Sequence, residues 1–478
     1  MTALVSSTGR VRALPIWRAT GVRDFRLLWA SEAVSVLGDQ FHFVALSWLV
    51  ISLTGSGFAL GTVLIAVGVP RAILLVPMGV IADRRSPRTL MLVAHLARGA
   101  IVAVIAVLVA TGLASIPVLA ALGALFGAVD AVYLPAQQAF LPRAVGPDRL
   151  PSANALLQGT LQLASIAGPP MAGVAIAIVG TGTAFAVDAV SFVIAGALIA
   201  LISGGALVAA RAASPSAGPV TITASTHRAA EATTPEVTGA AESPPESFTD
   251  ALRGGVRYVL ADPGIRLMML LSLVLNFAVN GPAAVGMAWL AERRFDAGPT
   301  GLGFMAAGWA AGALAGTITA GNVRLERQGG IVLACITLSG VAMAAVGVLG
   351  WLPAVVAALA VMGVAIGYVN VVAISWLQAR VELEMLGRVM SLAMLMGFGI
   401  TPLSIGLAGA LIDIDATALF VGAGVLVLAT VLLALALRFP AMLDGPARMP
   451  APAAGAADAP HVPDVPDVPD TAGAPVSG

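Results

Sequence analysis

Twelve apolar stretches between Phe25 and Arg438, each of bilayer-spanning length, constrain this chain more than any motif in it. They run over 25–53, 57–82, 89–111, 115–137, 152–178 and 182–203, then over 264–290, 299–321, 330–350, 353–378, 387–411 and 416–437. A membrane helix needs roughly 20 apolar residues. With 59% hydrophobic and 10% charged residues, a water-soluble fold of 478 residues would need an apolar exterior, so lipid is the solvent. In lipid every backbone N–H and C=O must be satisfied internally, and these stretches lack the period-2 alternation of a barrel strand. The expected fold class is all-α, a polytopic membrane protein with twelve transmembrane helices.

The composition divides the chain. Residues 1–24 form an N-terminal segment, 25–203 a first six-helix half, 204–263 a linker, 264–437 a second six-helix half and 438–478 a tail. Residues 204–247 are rich in Ala, Ser, Thr and Pro without periodicity, which reads as disorder. Phe248, Leu252, Val256 and Leu260 then recur at helical spacing with Arg253 and Arg257 off the stripe, the pattern of an interfacial helix. The tail, with its repeated Val-Pro-Asp triplet, reads as extended and disordered.

All 25 basic residues are Arg. Without Lys there is no Walker A phosphate loop and no Schiff base for retinal or pyridoxal phosphate. Cys335 is the only cysteine, and His42, His95, His227 and His461 are scattered without ligand spacing, so neither cofactor nor metal is expected. No G-x-S-x-G or H-E-x-x-H motif marks an enzyme. The arginines also orient the chain: Arg10, Arg12, Arg18 and Arg23 precede the first span, Arg84, Arg85 and Arg88 follow the second, Arg143 and Arg149 the fourth, Arg324 and Arg327 the eighth, and Arg380 and Arg388 the tenth. The positive-inside rule then makes both termini cytoplasmic, in an inner (plasma) membrane.

The halves resemble each other. AFLPRAVGPDRLPSAN follows span four and QARVELEMLGRVMS follows span ten. Gly168-Pro169 with Gly173 in span five corresponds to Thr401-Pro402 with Gly406 in span eleven. Matched Gly/Pro interruptions point to a transporter built from repeats, its substrate site between them.

The segment GVIADRRSPR, from Gly79 to Arg88, resembles the loop between the second and third helices of the major facilitator superfamily. Gly79, Asp83, Arg84 and Arg88 match that motif, while Ser86 and Pro87 depart from it. The resemblance implies a loop that latches the cytoplasmic gate; physically, Gly79 would permit close helix approach and Asp83 would suit a helix N-terminus. The corresponding GNVRLERQGG after span eight lacks the Asp. AGPPMAG, from Ala167 to Gly173, is similar to a degenerate antiporter motif, which implies close helix packing at Gly168, Pro169 and Gly173. The stretch from Leu134 to Phe192 resembles the macrolide-efflux and enterobactin-exporter branch of drug:proton antiporters, and the likeness implies export of hydrophobic or amphiphilic molecules in exchange for protons.

Ionisable residues at bilayer depth are costly and mark function. Glu32, Asp39, Arg71, Arg98, Asp130 and Asp188 lie within spans. Glu32 and Asp39, seven residues apart, share a helix face at depths of roughly 10 and 21 Å, and Arg71 at roughly 16 Å is within reach of either. Arg98 and Asp130 are expected to pair across spans three and four. An Arg alternating between two acids, the released one taking a proton, would couple protonation to conformation, whereas static pairs would only fix helix register. Asp188 is expected near the outer interface. Asn154, Gln158 and Gln162 on span five, Asn276 and Asn280 on span seven and Asn370 on span ten offer a polar wall for substrate, or interhelical hydrogen bonds. Phe43 and Trp48 offer aromatic surface.

The sequence therefore leads to a proton-coupled exporter of small molecules, monomeric in the bilayer and with no nucleic-acid partner. The same layout also fits a proton-independent facilitator, or a scaffold or sensor that has lost transport; the largely intact Gly79–Arg88 loop and the intramembrane charges argue against the scaffold. Deleting Pro450 to Gly478 removes no span and no intramembrane charge, so the truncated protein should insert and transport as the parent does in vesicles. Normal insertion with lost transport would instead make the tail a docking element.

Overall fold

The structure, a computed structural model, describes residues 15–203, 248–322 and 328–444. The linker at 204–247, the loop residues 323–327 and the tail from 445 lie outside the described residues, as do the readings of disorder made for the linker and tail. The described chain is helical, and 12 of its helices are long and apolar enough to cross a membrane. Spans one to six are Arg23–Thr54, Gly57–Arg84, Pro87–Ala110, Ile116–Val145, Leu150–Val179 and Thr181–Ala200. Spans seven to twelve are Pro263–Trp289, Gly298–Asn322, Gln328–Val348, Leu352–Arg380, Leu383–Ile412 and Ala416–Ala436.

Several helices outrun their apolar stretches. Span four continues through Pro142 to Val145, so most of AFLPRAV is helix and the turn shrinks to Gly146, with a positive φ of 75°. The bilayer limits only the apolar length, and a helix that satisfies its own backbone projects beyond it at little cost. Between the halves, Phe248–Ala261 forms a helix, as the spacing of its apolar residues predicts. Its Gly255 and Val259 face the bundle, where Gly255 lies against Leu392 and Arg388, while Val256 and Leu260 are exposed. At its end Asp262 caps span seven through the N–H groups of Gly264 and Ile265 and accepts from Arg380 Nε at 3.0 Å. Burial pushes the Asp262 carboxyl up, but these donors outweigh it and hold it below the usual carboxylate range.

Spans two and eleven, and spans five and eight, form the seam between the halves. Near the end of the bundle opposite Arg23, here the far end, the seam is tight. A Cβ on Gly409 would meet Gly57 O at 2.7 Å, and one on Gly173 would meet the backbone of Pro299 and Thr300. Small residues let these backbones approach without a hydrophobic drive from solvent. Of the Gly168, Pro169 and Gly173 motif of span five, Pro169 and Gly173 lie on this seam, Pro169 against Gly303 of span eight, while Gly168 abuts Gln40 of span one within the first half.

At the near end the seam is open. A Cβ added at Gly79, Gly159, Gly321 or Gly397 would stand in open space, with no described atom within 4 Å of it. The close approach expected at Gly79 is therefore absent in this conformation. The cores agree: one apolar cluster includes Val44, Ile176, Met305 and Ala408 from both halves, whereas Phe25, Met91, Phe140 and Ile199 form a cluster of the first half alone. Val259, Leu377 and Val389 form another in the second half.

Asp413, just past span eleven, ties the far end shut. Its carboxylate accepts from Ser56 Oγ at 2.7 Å, Gly57 N at 2.8 Å and Phe58 N at 3.1 Å, capping span two from the other half. Arg293 adds a bond to Gly55 O at 3.2 Å. Burial pushes the Asp413 carboxyl up, but the donated hydrogen bonds win and hold it below the usual range. A lowered value in the closed state means that this contribution to closure is present above the ordinary carboxylate range and is lost as pH falls through the lowered value. Asp413→Ala should weaken closure by about 1–3 kcal/mol. Spin labels at the exposed Phe58 and Ile414, in a Cys335→Ser background, should then show a larger long-distance population at neutral pH, and acid should produce the same change in the parent. Unchanged distances in the variant would remove Asp413 from the latch.

Candidate functional site

The charged side chains of the first half converge on spans one to four. Arg98 is buried, with 3% of its side chain exposed, and donates from Nη1 to Asp130 Oδ1 at 2.8 Å. Its guanidinium lies over the Tyr133 ring at 4.7 Å and the Phe192 ring at 4.6 Å, cation–π contacts strengthened by desolvation. Arg98 Nη2 also donates to His95 Nδ1 at 3.1 Å. Because a guanidinium only donates, that nitrogen accepts, and the ring carries its hydrogen on Nε2, 3.5 Å from Ser31 Oγ. Ser31 in turn donates to Ala195 O at 3.0 Å.

Arg71, expected beside Glu32 or Asp39, instead pairs with the other oxygen of Asp130, Nε to Oδ2 at 3.1 Å. The cause is packing: span two runs along span four, so its arginine meets the acid of that helix. Asp130 thus holds two cations, one buried and one 55% exposed. Glu32 accepts from Tyr133 Oη at 2.5 Å, with Gln137 as a further side-chain partner. Asp39 is half-buried and makes no hydrogen bond or ion pair among the described residues; Arg98 is the cation that acts on it.

The other expected site residues are more dispersed. Gln162 donates to Ala310 O at 3.1 Å, bridging the halves. Asn276 donates to Ser272 O on its own helix, and Asn280 to Asn276 Oδ1 and to Thr401 Oγ1 of span eleven. Asn154, Gln158 and Asn370 are exposed. In the gating segment Arg84 is exposed, and Arg88 donates to Ile199 O and Ala200 O, closing the end of span six in its own half. Asp83 is in the last turn of span two, and its side chain lies outside those described. Asp188 is not near an outer interface but fully buried.

Sequence reasoning passed over His95 and Tyr133, although the spacing held a signal. His95 precedes Arg98 by three residues and Tyr133 follows Asp130 by three, so each shares a helix face with a charge already singled out. The apolar crevice lined by Phe277, Ser404, Leu411 and Leu419 shares no residue with this cluster.

A family profile described as transmembrane secretion effector matches residues 17–204, spans one to six. Over 371 residues the chain is 25% identical to YvqJ of Bacillus subtilis (strain 168), an uncharacterized MFS-type transporter, covering 77% of this chain and 80% of that protein. Over 389 residues it is 25% identical to the multidrug efflux pump Tap of Mycolicibacterium fortuitum, covering 79% and 86%. Among solved structures it is similar to a bacterial homologue of the iron transporter ferroportin in an inward-facing state, with a TM-score of 0.63 at 18% identity over 89% of this chain and 99% of that one. The nucleoside transporter NupG matches with a TM-score of 0.60 at 11% identity over 86% and 99%.

Removing a buried ionic partner costs about 3–5 kcal/mol, whereas an exposed one is worth about 0–1 kcal/mol. Arg98→Ala should therefore lower the thermal unfolding midpoint in detergent far more than Arg71→Ala. Equal losses would mean that Asp130 is held equally by both.

Proposed function

We propose, on the premise that this chain is a major facilitator superfamily transporter, that it exports hydrophobic or amphiphilic small molecules by proton antiport through alternating access. The observation that carries the reading is a surplus carboxylate. Glu32, Asp39 and Asp130 face two guanidinium groups, Arg71 and Arg98. Asp130 takes both cations and Glu32 takes the Tyr133 hydroxyl, which leaves Asp39 as the acid without a partner among the described residues. One proton on Asp39 removes one of the uncompensated negative charges and lowers the cost of enclosing the site away from water. Proton binding and closure of the cavity then favour one another.

With the near end at the cytoplasm, the conformation described is inward-open, and Asp39 as a carboxylate accompanies substrate loading. Opening the far end breaks the Asp413 cap, Asp39 takes a proton there, and the protonated form returns as the substrate leaves. The exposed Asn154, Gln158 and Asn370 are candidates for substrate contact. Gln162, Asn276 and Asn280 are engaged in helix-to-helix or local hydrogen bonds and act in the framework that moves. In the outward-open state, Asp83 with Gly79, Arg84 and Arg88 latches the near end. The partners are the substrate, protons and the bilayer of the plasma membrane, with the chain acting as a monomer and both termini cytoplasmic. The efflux activity in the name of Tap supports the direction of transport.

A single proton crossing 100 mV supplies roughly 2.3 kcal/mol, a concentrating power of about 50-fold. Everted vesicles supplied from the medium with a panel of dyes, macrolides and siderophores, with and without a pH gradient, test the reading. Asp39→Asn should abolish gradient-driven accumulation, and Glu32→Gln should have a milder effect. Accumulation by the Asp39 variant equal to the parent would sink the assignment, and parent transport indifferent to the gradient would make the protein a facilitator.

A further inference from the structure

A second pair of ionisable groups lies beyond Asp39 toward the far end. Asp188 on span six is 0% exposed, and His42 on span one is 8% exposed. His42 Nδ1 and Asp188 Oδ2 are 3.1 Å apart, yet the contact is off-line for a hydrogen bond and both atoms are otherwise unpaired among the described residues. The imidazole is fixed in place, stacked on Phe126 at 4.8 Å and edge-on to Phe185 at 5.4 Å. Asp188 reaches span one only because residue 38 is glycine: a Cβ there would stand 2.6 Å from Asp188 Oδ1. Ser191 donates to that oxygen at 3.3 Å. Gly38 is the neighbour of Asp39, and His42 follows Asp39 by three residues, on the same helix face and roughly 4.5 Å nearer the far end.

We propose that His42 and Asp188 form a second proton-carrying site that delivers the coupling proton to Asp39 from the far end. The inference rests on Asp39 as the coupling acid. The charged group against His42 is Asp188 on span six, and Asp39 lies three residues before it on its own helix; the charged groups that act on Asp39 in turn are Arg98 on span three, Asp188, Asp130 on span four and Glu32. Arg98 is the cation in that set, and it is bonded to Asp130. A bare Asp188 carboxylate beside a neutral imidazole would be a buried charge without a counter-ion, so the pair holds one proton as imidazolium with carboxylate or as imidazole with carboxylic acid. In the transfer step the N–H or O–H bond of the pair breaks and an O–H bond forms on Asp39. The pair is left as imidazole and carboxylate, and water at the opened far end restores its proton. A site with no exposed carboxylate surface and a misaligned contact has little value as a structural clamp, whereas one proton placed between two bases three residues and one helix apart is suited to movement.

The test is ring-15N-histidine magnetic resonance of the full-length protein in lipid nanodiscs. The chain has four histidines, so His42→Gln identifies the His42 signal by its loss. The His42 ring signal should depend on pH, and that dependence should differ between the parent and Asp39→Asn. A His42 signal that is constant, or whose pH dependence is the same in the parent and Asp39→Asn, overturns the relay. Asp188→Asn should remove the dependence; if that variant fails to insert, the comparison with Asp39→Asn decides alone. In everted vesicles, His42→Gln should slow gradient-driven transport by roughly tenfold, since the proton loses its stepping stone. The resonance measurement uses no substrate and no gradient, so a failure of proton-coupled export and a failure of the relay are read separately.

Discussion

Asp130 organises the interior of the first half, because its two oxygens receive two different arginines. Arg98 is held from three sides, by this carboxylate, by His95 and by the faces of Tyr133 and Phe192. Fixing Arg98 fixes the hydrogen of His95, which turns toward Ser31 and so toward the base of span one. Fixing Tyr133 places a hydroxyl on Glu32. Burying this many polar groups is tolerable because most are satisfied by a neighbour in the series, Arg98 Nε being a buried nitrogen without a hydrogen-bond partner.

The seam itself is asymmetric along its length. Glycines bring backbones together at the far end, and the acid that follows span eleven supplies a cap to span two that span two's own half supplies only in part, through Ser56. A contact of this kind is well suited to a switch, since its few hydrogen bonds are individually modest and exchange readily for water.

Much of this was legible in the sequence, and the reason is the solvent. Lipid imposes length and polarity on each span, so the twelve-helix arrangement could be read directly, while the close packing at Gly168 and Gly173 was implied by the likeness of AGPPMAG to the antiporter motif. Arg98 and Asp130 were readable as a pair because both sit at similar depth on consecutive helices. Arg71 was not, because depth alone cannot say which neighbour a helix presents, and span two turns toward span four. Asp188 was misplaced for a related reason: counting residues from a span end gives height but not whether a glycine on another helix opens a recess for the carboxylate. Asp413 carried no signal in the sequence, since its partners are more than 350 residues away.

The absence of lysine divides the interior charges into two kinds. A guanidinium keeps its proton at any pH a cell experiences, whereas a buried ammonium readily loses one. Arg71 and Arg98 are therefore constant sources of field, unchanged through a transport cycle, and every variable charge resides on a carboxyl or an imidazole. A probe that reports only on carboxyl and imidazole vibrations would thus see all the intramembrane ionisation changes of this protein, against a cationic background that never moves from its value.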